Sequence, residues 1–163
     1  MKDHHSTQHH AGSRHSYIMF AVNMVLSLIV MYLVMFSMID GWRDFDNNLN
    51  MFYMALTMAA PMGILMLATM AGMYEDRRFN LVLYAGLVVT FVGAFVGTRT
   101  QALIDDRQFI ASMIPHHSGA ILMCREAKLA DKELQDLCRD IAIGQRREID
   151  QMEAIRLRLA QQP

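Results

Sequence analysis

Three side chains in the second half of the chain, Met113, His116 and His117, have the types and spacing to hold a metal ion. Met113 and His117 stand four apart, so on a helix they share one face, with His116 about 100° round from His117. Further on, Glu148 and Met152 return to the same level if the chain doubles back as an antiparallel hairpin. Thioether sulfur is soft and neutral; it favours Cu(I) and Ag(I) over Zn(II), Mg(II) or Ca(II), and imidazole suits copper as well. A mixed Met and His set therefore points to copper, with Glu148 as a ligand or a partner behind the ligands. Binding needs a neutral imidazole, so acid weakens it. The plain alternative is that Met113 and Met152 fill gaps in a core and one His makes a polar contact. Cys124 and Cys138 add three open readings. They form a disulfide outside the cytoplasm, or when reduced a second soft-metal pair with Met123, or two small residues at a close helix contact.

The elements that must position these residues are helices. Phe109, Met113, His116, Ala120, Met123 and Ala127 recur at three- and four-residue spacing, the mark of an amphipathic helix over 101–128. Leu134, Leu137, Ile141, Ile149, Met152 and Ile155 continue the pattern over 131–160, with Asp131 as N-cap. Pro115 interrupts the first helix and marks a possible bend. Counting from a turn near residue 130, residues 144–148 come to lie opposite 113–117, and Cys124 faces Cys138. Two helices cannot cover both apolar stripes, and a bundle needs three or four. A homodimer forming a four-helix bundle, or packing on the rest of the chain, completes it.

The rest of the chain is apolar. Of 163 residues, 53% are hydrophobic and 16 are Met, while the charges crowd after Arg99. No charge falls between Arg14 and Asp40, between Asp46 and Glu75, or between Arg78 and Arg99. Residues 17–39, 51–73 and 80–98 are each long enough to cross a bilayer core, which takes about 20 apolar residues. The first is too long for a signal peptide and has no small-residue cleavage site after it. Pro61 stands mid-span and bends its helix. Gly86, Gly93 and Gly97 share a face of the third span, where Gly93 and Gly97 form a GxxxG that permits close helix contact. Lys2, Arg14, Arg77 and Arg78 against Arg43, Arg99 and Arg107 give a slight bias that places the N-terminus in the cytoplasm. The C-terminal part then lies outside, in the periplasm of a bacterial inner membrane.

The segment DDRQFIASMIPHHSGAILMC, 105–124, followed by QRREIDQM, 145–152, resembles the DUF305 family. The features that carry the resemblance are Met-Ile-Pro-His-His, Ala-Ile-x-Met and Glu-Ile-x-x-Met, and it covers about 101–158. The resemblance implies a ferritin-like helical hairpin, usually exported, with some members implicated in binding and resisting copper or silver. The membrane half is similar in layout to the copper-transporter (Ctr) family. It has a His-rich N-terminus, three spans, a Met ridge at Met54, Met58, Met62, Met66 and Met70, and GxxxG in the third span. Met24, Met31, Met35 and Met38 add a similar ridge on the first span. Such ridges either pack against lipid and neighbouring helices or line a path for Cu(I). That family places its N-terminus outside, opposite to the charge bias here. The tail 1–16, with His4, His5, His9, His10 and His15, has no apolar periodicity. It reads as disordered, either a weak metal trap or a solvated tail.

These observations predict an all-α chain of three parts: the tail 1–16, a three-helix transmembrane domain 17–99 and a DUF305-like hairpin 100–163. The expected function is a membrane-anchored protein that binds copper, Cu(I) favoured and Ag(I) as its soft analogue, in sequestration, resistance or homeostasis. A Cu(I) transporter, or a structural or signalling dimer without metal, is the alternative. Partners are the lipid bilayer, a metal ion and a second copy. The net charge of −1 gives no case for nucleic acid. An enzyme is not expected, because the sequence has no nucleophile with a partnered base, no phosphate-binding glycine loop and no paired-carboxylate set.

Overall fold

The computed structural model describes residues 5–161, with side chains from Arg14 onward. The described residues form five α-helices and three short 3-10 turns, with no strand among them. They are α1 (His5–Met35), α2 (Leu49–Thr69), α3 (Arg77–Thr100), α4 (Asp106–Glu126) and α5 (Lys132–Ala160). The turns are Phe36–Met38, Trp42–Asp44 and Ala71–Met73. The chain divides into two compact units. One holds the stretch up to Leu33 with Phe52–Ala102, and the other holds Val34–Met51 with the chain from Leu103 onward.

The first unit contains the apolar helices. Arg14–Met38, Leu49–Thr69 and Arg77–Thr100 are long and apolar enough to cross a membrane. Leu26, Ile29, Leu33, Leu65, Leu81 and Val89 are all exposed on them. Apolar surface on that scale is stable only against lipid or another protein, and the chain is a membrane protein. Helix α3 opens on Asp76, whose carboxylate accepts from the Arg78 and Phe79 amides at 2.9 and 3.0 Å. One end of this unit is closed by aromatic rings, with Tyr17 against Tyr74 and Phe79 and Phe20 against Tyr74. The buried face of α2 is small: Ala55, Ala59, Ala60 and Gly63, with Leu67. Met54, Met58 and Met70 of the expected sulfur ridge are exposed instead. Within the GxxxG, Gly97 lies under the Tyr53 ring, where an added Cβ would meet it at 3.1 Å, but nothing lies near Gly93 or Gly86.

Two expectations change here. Residues 5–16 continue α1 rather than forming a disordered tail, since adding residues to an existing helix costs far less than nucleating one. His4 and the side chains of His5, His9 and His10 lie outside what is described, and His15 is exposed. Helix α4 starts at Asp106 and not at 101, because the chain turns sharply after α3. Gln101 and Leu103 both adopt left-handed backbone, with φ of 53° and 61°, and Asp105 caps the new helix by accepting from the Gln108 amide at 2.7 Å.

The second unit is the helical hairpin with a cover. Helices α4 and α5 pack antiparallel around Ile110, Ile114, Ile121 and Ile149, with Met152, Ile155 and Leu159 at the margin. Asp131 caps α5 as expected, accepting from the Leu134 amide at 2.8 Å. The third layer, which the sequence left to a second copy or to the rest of the chain, comes from the 36–48 connection. Its two 3-10 turns lie on α4, with Phe36 buried against Phe45 at 4.3 Å between ring centroids.

Candidate functional site

The register of the hairpin brings His117 to Glu148, as the counting from residue 130 required. The His117 ring is buried, and its Nε2 lies 2.9 Å from a carboxylate oxygen of the exposed Glu148. Its Nδ1 lies 2.8 Å from the Met113 carbonyl, one turn back on the same helix. A carbonyl only accepts, so Nδ1 carries a proton and donates to it. Fixing one ring nitrogen on a backbone carbonyl is how proteins orient a histidine whose other nitrogen binds a metal. His116 is exposed, with its ring centroid 5.9 Å from that of His117.

The other expected ligands are scattered. Met113 is half-buried on the His117 face, while Met152 packs against the isoleucine core. Met123 is 60% exposed and stands six residues beyond His117. Cys124 and Cys138 do face each other and are joined as a disulfide. In that form neither offers a thiolate, so the soft-metal reading of the pair applies to the reduced chain alone. Among the described residues no group of three or more His, Cys, Asp or Glu converges.

Beside the pair lies a polar network that the sequence did not reveal. Ser118 is fully buried; its hydroxyl donates to Asp44 at 2.6 Å and accepts from the Asp40 amide at 2.7 Å. Arg146 reaches Asp40 at 2.8 Å and Asp44 at 3.5 Å, and Arg125 also pairs with Asp40. Arg156 binds Asp46 at 2.5 Å and Glu153 at 2.7 Å. Burial pushes the Asp46 carboxyl above its ordinary value, Arg156 pulls it back, and Glu153 adds to the rise. A cavity of about 760 Å³ opens between Asp40, Asp44, Arg146, Asp150, Glu153 and Arg156. Three aspartates in one short connection, facing three arginines on the hairpin, were the available signal. Gly119 lets the connection come close, since a Cβ there would sit 3.2 Å from the Met38 carbonyl oxygen.

Pro115 belongs to the same contact. It has no N–H for the Ala111 carbonyl one turn back. Asn48 replaces the missing donor, reaching that carbonyl at 3.3 Å, while its own side-chain oxygen caps α2 by accepting from the Met51 amide at 2.9 Å.

Residues 98–156 match the model of DUF305, described as a domain of unknown function. An uncharacterized protein of Acanthamoeba polyphaga mimivirus is 35% identical over 114 residues, covering 69% of this chain and 73% of that protein. The chain belongs to the DUF305 family. The alignment to the viral relative is longer than the whole of 98–163, so it runs into the apolar helices as well. No solved structure matches the chain. Within the DUF305 motif Met-Ile-Pro-His-His-Ser-Gly, the geometry separates two tasks. Pro115, Ser118 and Gly119 receive the 36–48 connection. Ile114 lies in the isoleucine core, and Met113, His116 and His117 take part in neither contact.

Proposed function

We propose that this DUF305 protein is a membrane-anchored copper-binding protein that holds Cu(I), with Ag(I) as its soft analogue, for sequestration, resistance or homeostasis. The observation that carries the reading is the His117 ring, locked at Nδ1 on the Met113 carbonyl and presenting Nε2 beside Glu148. His117 Nε2, the Met113 thioether one turn back on the same helix face and the exposed His116 are the donors assigned to the ion. A carboxylate is a poor ligand for a soft ion, so Glu148 balances charge and swings aside to admit it; its exposure leaves it room to do so. The cysteine pair supports a location outside the cytoplasm, where disulfides persist. That agrees with the charge bias placing the hairpin on the periplasmic side of a bacterial inner membrane. A second copy completing a four-helix bundle fits the exposed Ile143 and Leu157, which share one stripe of α5.

The test uses the full-length protein in detergent, offered Cu(I), Ag(I), Zn(II) and Ca(II) together and then analysed for bound metal. The expected result is retention of the soft ions alone. Met113→Leu with His117→Ala abolishes retention, whereas Met123→Leu leaves it intact. Retention that survives the double change, or a preference for Zn(II) or Ca(II), overturns the assignment.

A further inference from the structure

Trp42 is the chain's single tryptophan, and it is 89% exposed. Leu103 is 85% exposed while its backbone is held at φ 61°. A leucine in left-handed backbone is strained, and strain on a residue bare to water gains nothing from the fold around it. Neither side chain is covered by the described residues.

The sequence says what covers them. Trp42 stands four residues after Met38, where the first candidate span ends, and Leu103 stands three after Thr100, where the third ends. Four residues reach at most about 14 Å even when fully extended. Neither side chain can leave the neighbourhood of the bilayer surface. An indole combines a large apolar ring with a polar N–H, the combination that settles at the headgroup level. Arg43, next to Trp42 on the same turn, is exposed and pairs with no carboxylate among the described residues. A guanidinium free in this way matches a lipid phosphate, which it can bind through two parallel hydrogen bonds.

We infer that Trp42, Arg43 and Leu103 form an interfacial foot on the hairpin unit, with the phospholipid headgroup layer as its partner. Trp42 and Leu103 enter the glycerol and upper acyl zone, and Arg43 binds phosphate.

Trp42 is its own probe, since no other tryptophan emits. The full-length protein is placed in vesicles of phosphatidylcholine and phosphatidylglycerol, and its tryptophan emission is recorded. The foot requires a blue-shifted emission and iodide quenching several-fold weaker than for a free tryptophan peptide. It also requires stronger quenching by lipids brominated near the glycerol end of the chain than by lipids brominated near the terminal methyl. Emission as red and as iodide-sensitive as the peptide's overturns it. So does shielding from iodide and brominated lipid alike, the signature of a second copy or another protein on Trp42. For Arg43, raising the phosphatidylglycerol fraction deepens the blue shift in the parent protein and not in Arg43→Gln. An equal response in both removes the phosphate contact.

Discussion

Replacing Asn48 by alanine tests how the 36–48 connection and the hairpin depend on each other. The buried Asn48 side chain makes three hydrogen bonds, to the Met51 amide at 2.9 Å, the Asp46 carbonyl at 2.9 Å and the Ala111 carbonyl at 3.3 Å. Losing the cap on α2 costs about 1 kcal/mol. Stranding the Ala111 carbonyl, which Pro115 has already deprived of its helical donor, adds about 1–3 kcal/mol. Asn48→Ala is thus expected to destabilise the hairpin unit by about 2–4 kcal/mol. Pro115→Ala restores an amide N–H one turn after Ala111, so in that background the second term vanishes and the cost falls to about 1 kcal/mol. The two changes form a double-mutant cycle with an expected coupling of about 1–3 kcal/mol. Hydrogen exchange at the α4 amides of the full-length protein in detergent reads the stability of this unit. Equal cost of Asn48→Ala in both backgrounds would refute the shared-carbonyl argument.

Gly144 has nothing near the Cβ it lacks, so Gly144→Ala is expected to gain about 1 kcal/mol from helix propensity. At Gly119 the new Cβ meets the Met38 carbonyl oxygen at 3.2 Å, so Gly119→Ala loses that gain or reverses it; thermal melts of the two variants side by side decide. Burial raises the pKa of the Asp46 carboxyl above the ordinary 3.8, so the folded state binds its proton more tightly than the unfolded chain. This group's contribution is therefore largest in acid and is lost as pH climbs above 3.8 through its folded value. The stability of the parent relative to Asp46→Asn should fall across that window. A relative stability that rises instead would mean the Arg156 pair outweighs burial.

What the sequence disclosed depended on periodicity and separation along the chain. The three apolar helices follow from uninterrupted charge-free runs. The hairpin follows from three- and four-residue spacing around Asp131, and the pairing of His117 with Glu148 and of Cys124 with Cys138 follows from counting outward from one turn. Met152 went into the isoleucine core because a thioether is as good a filler as a ligand, and spacing alone does not distinguish the two. The 36–48 connection was illegible for another reason. Its hold on α4 and α5 runs between residues about 60 to 110 apart, through Asn48, Asp40, Asp44 and Asp46. No periodic pattern encodes such contacts; only the matching of three aspartates to three arginines hints at them.

That connection decides how the site can be studied. A hairpin cut at residue 101 would leave Arg125, Arg146 and Arg156 without Asp40, Asp44 and Asp46. It would also bare the fully buried Ser118 hydroxyl and leave the Ala111 carbonyl with neither a proline N–H nor Asn48. Each loss falls on α4 or α5 within a turn or two of His117 or Glu148, the residues whose spacing the ion must find intact. A truncated hairpin that ignores silver would therefore report the missing connection rather than the chemistry of His117. The metal measurement has to be made on a chain that keeps the loop between its first two membrane helices, because that loop is the third layer of the domain it serves.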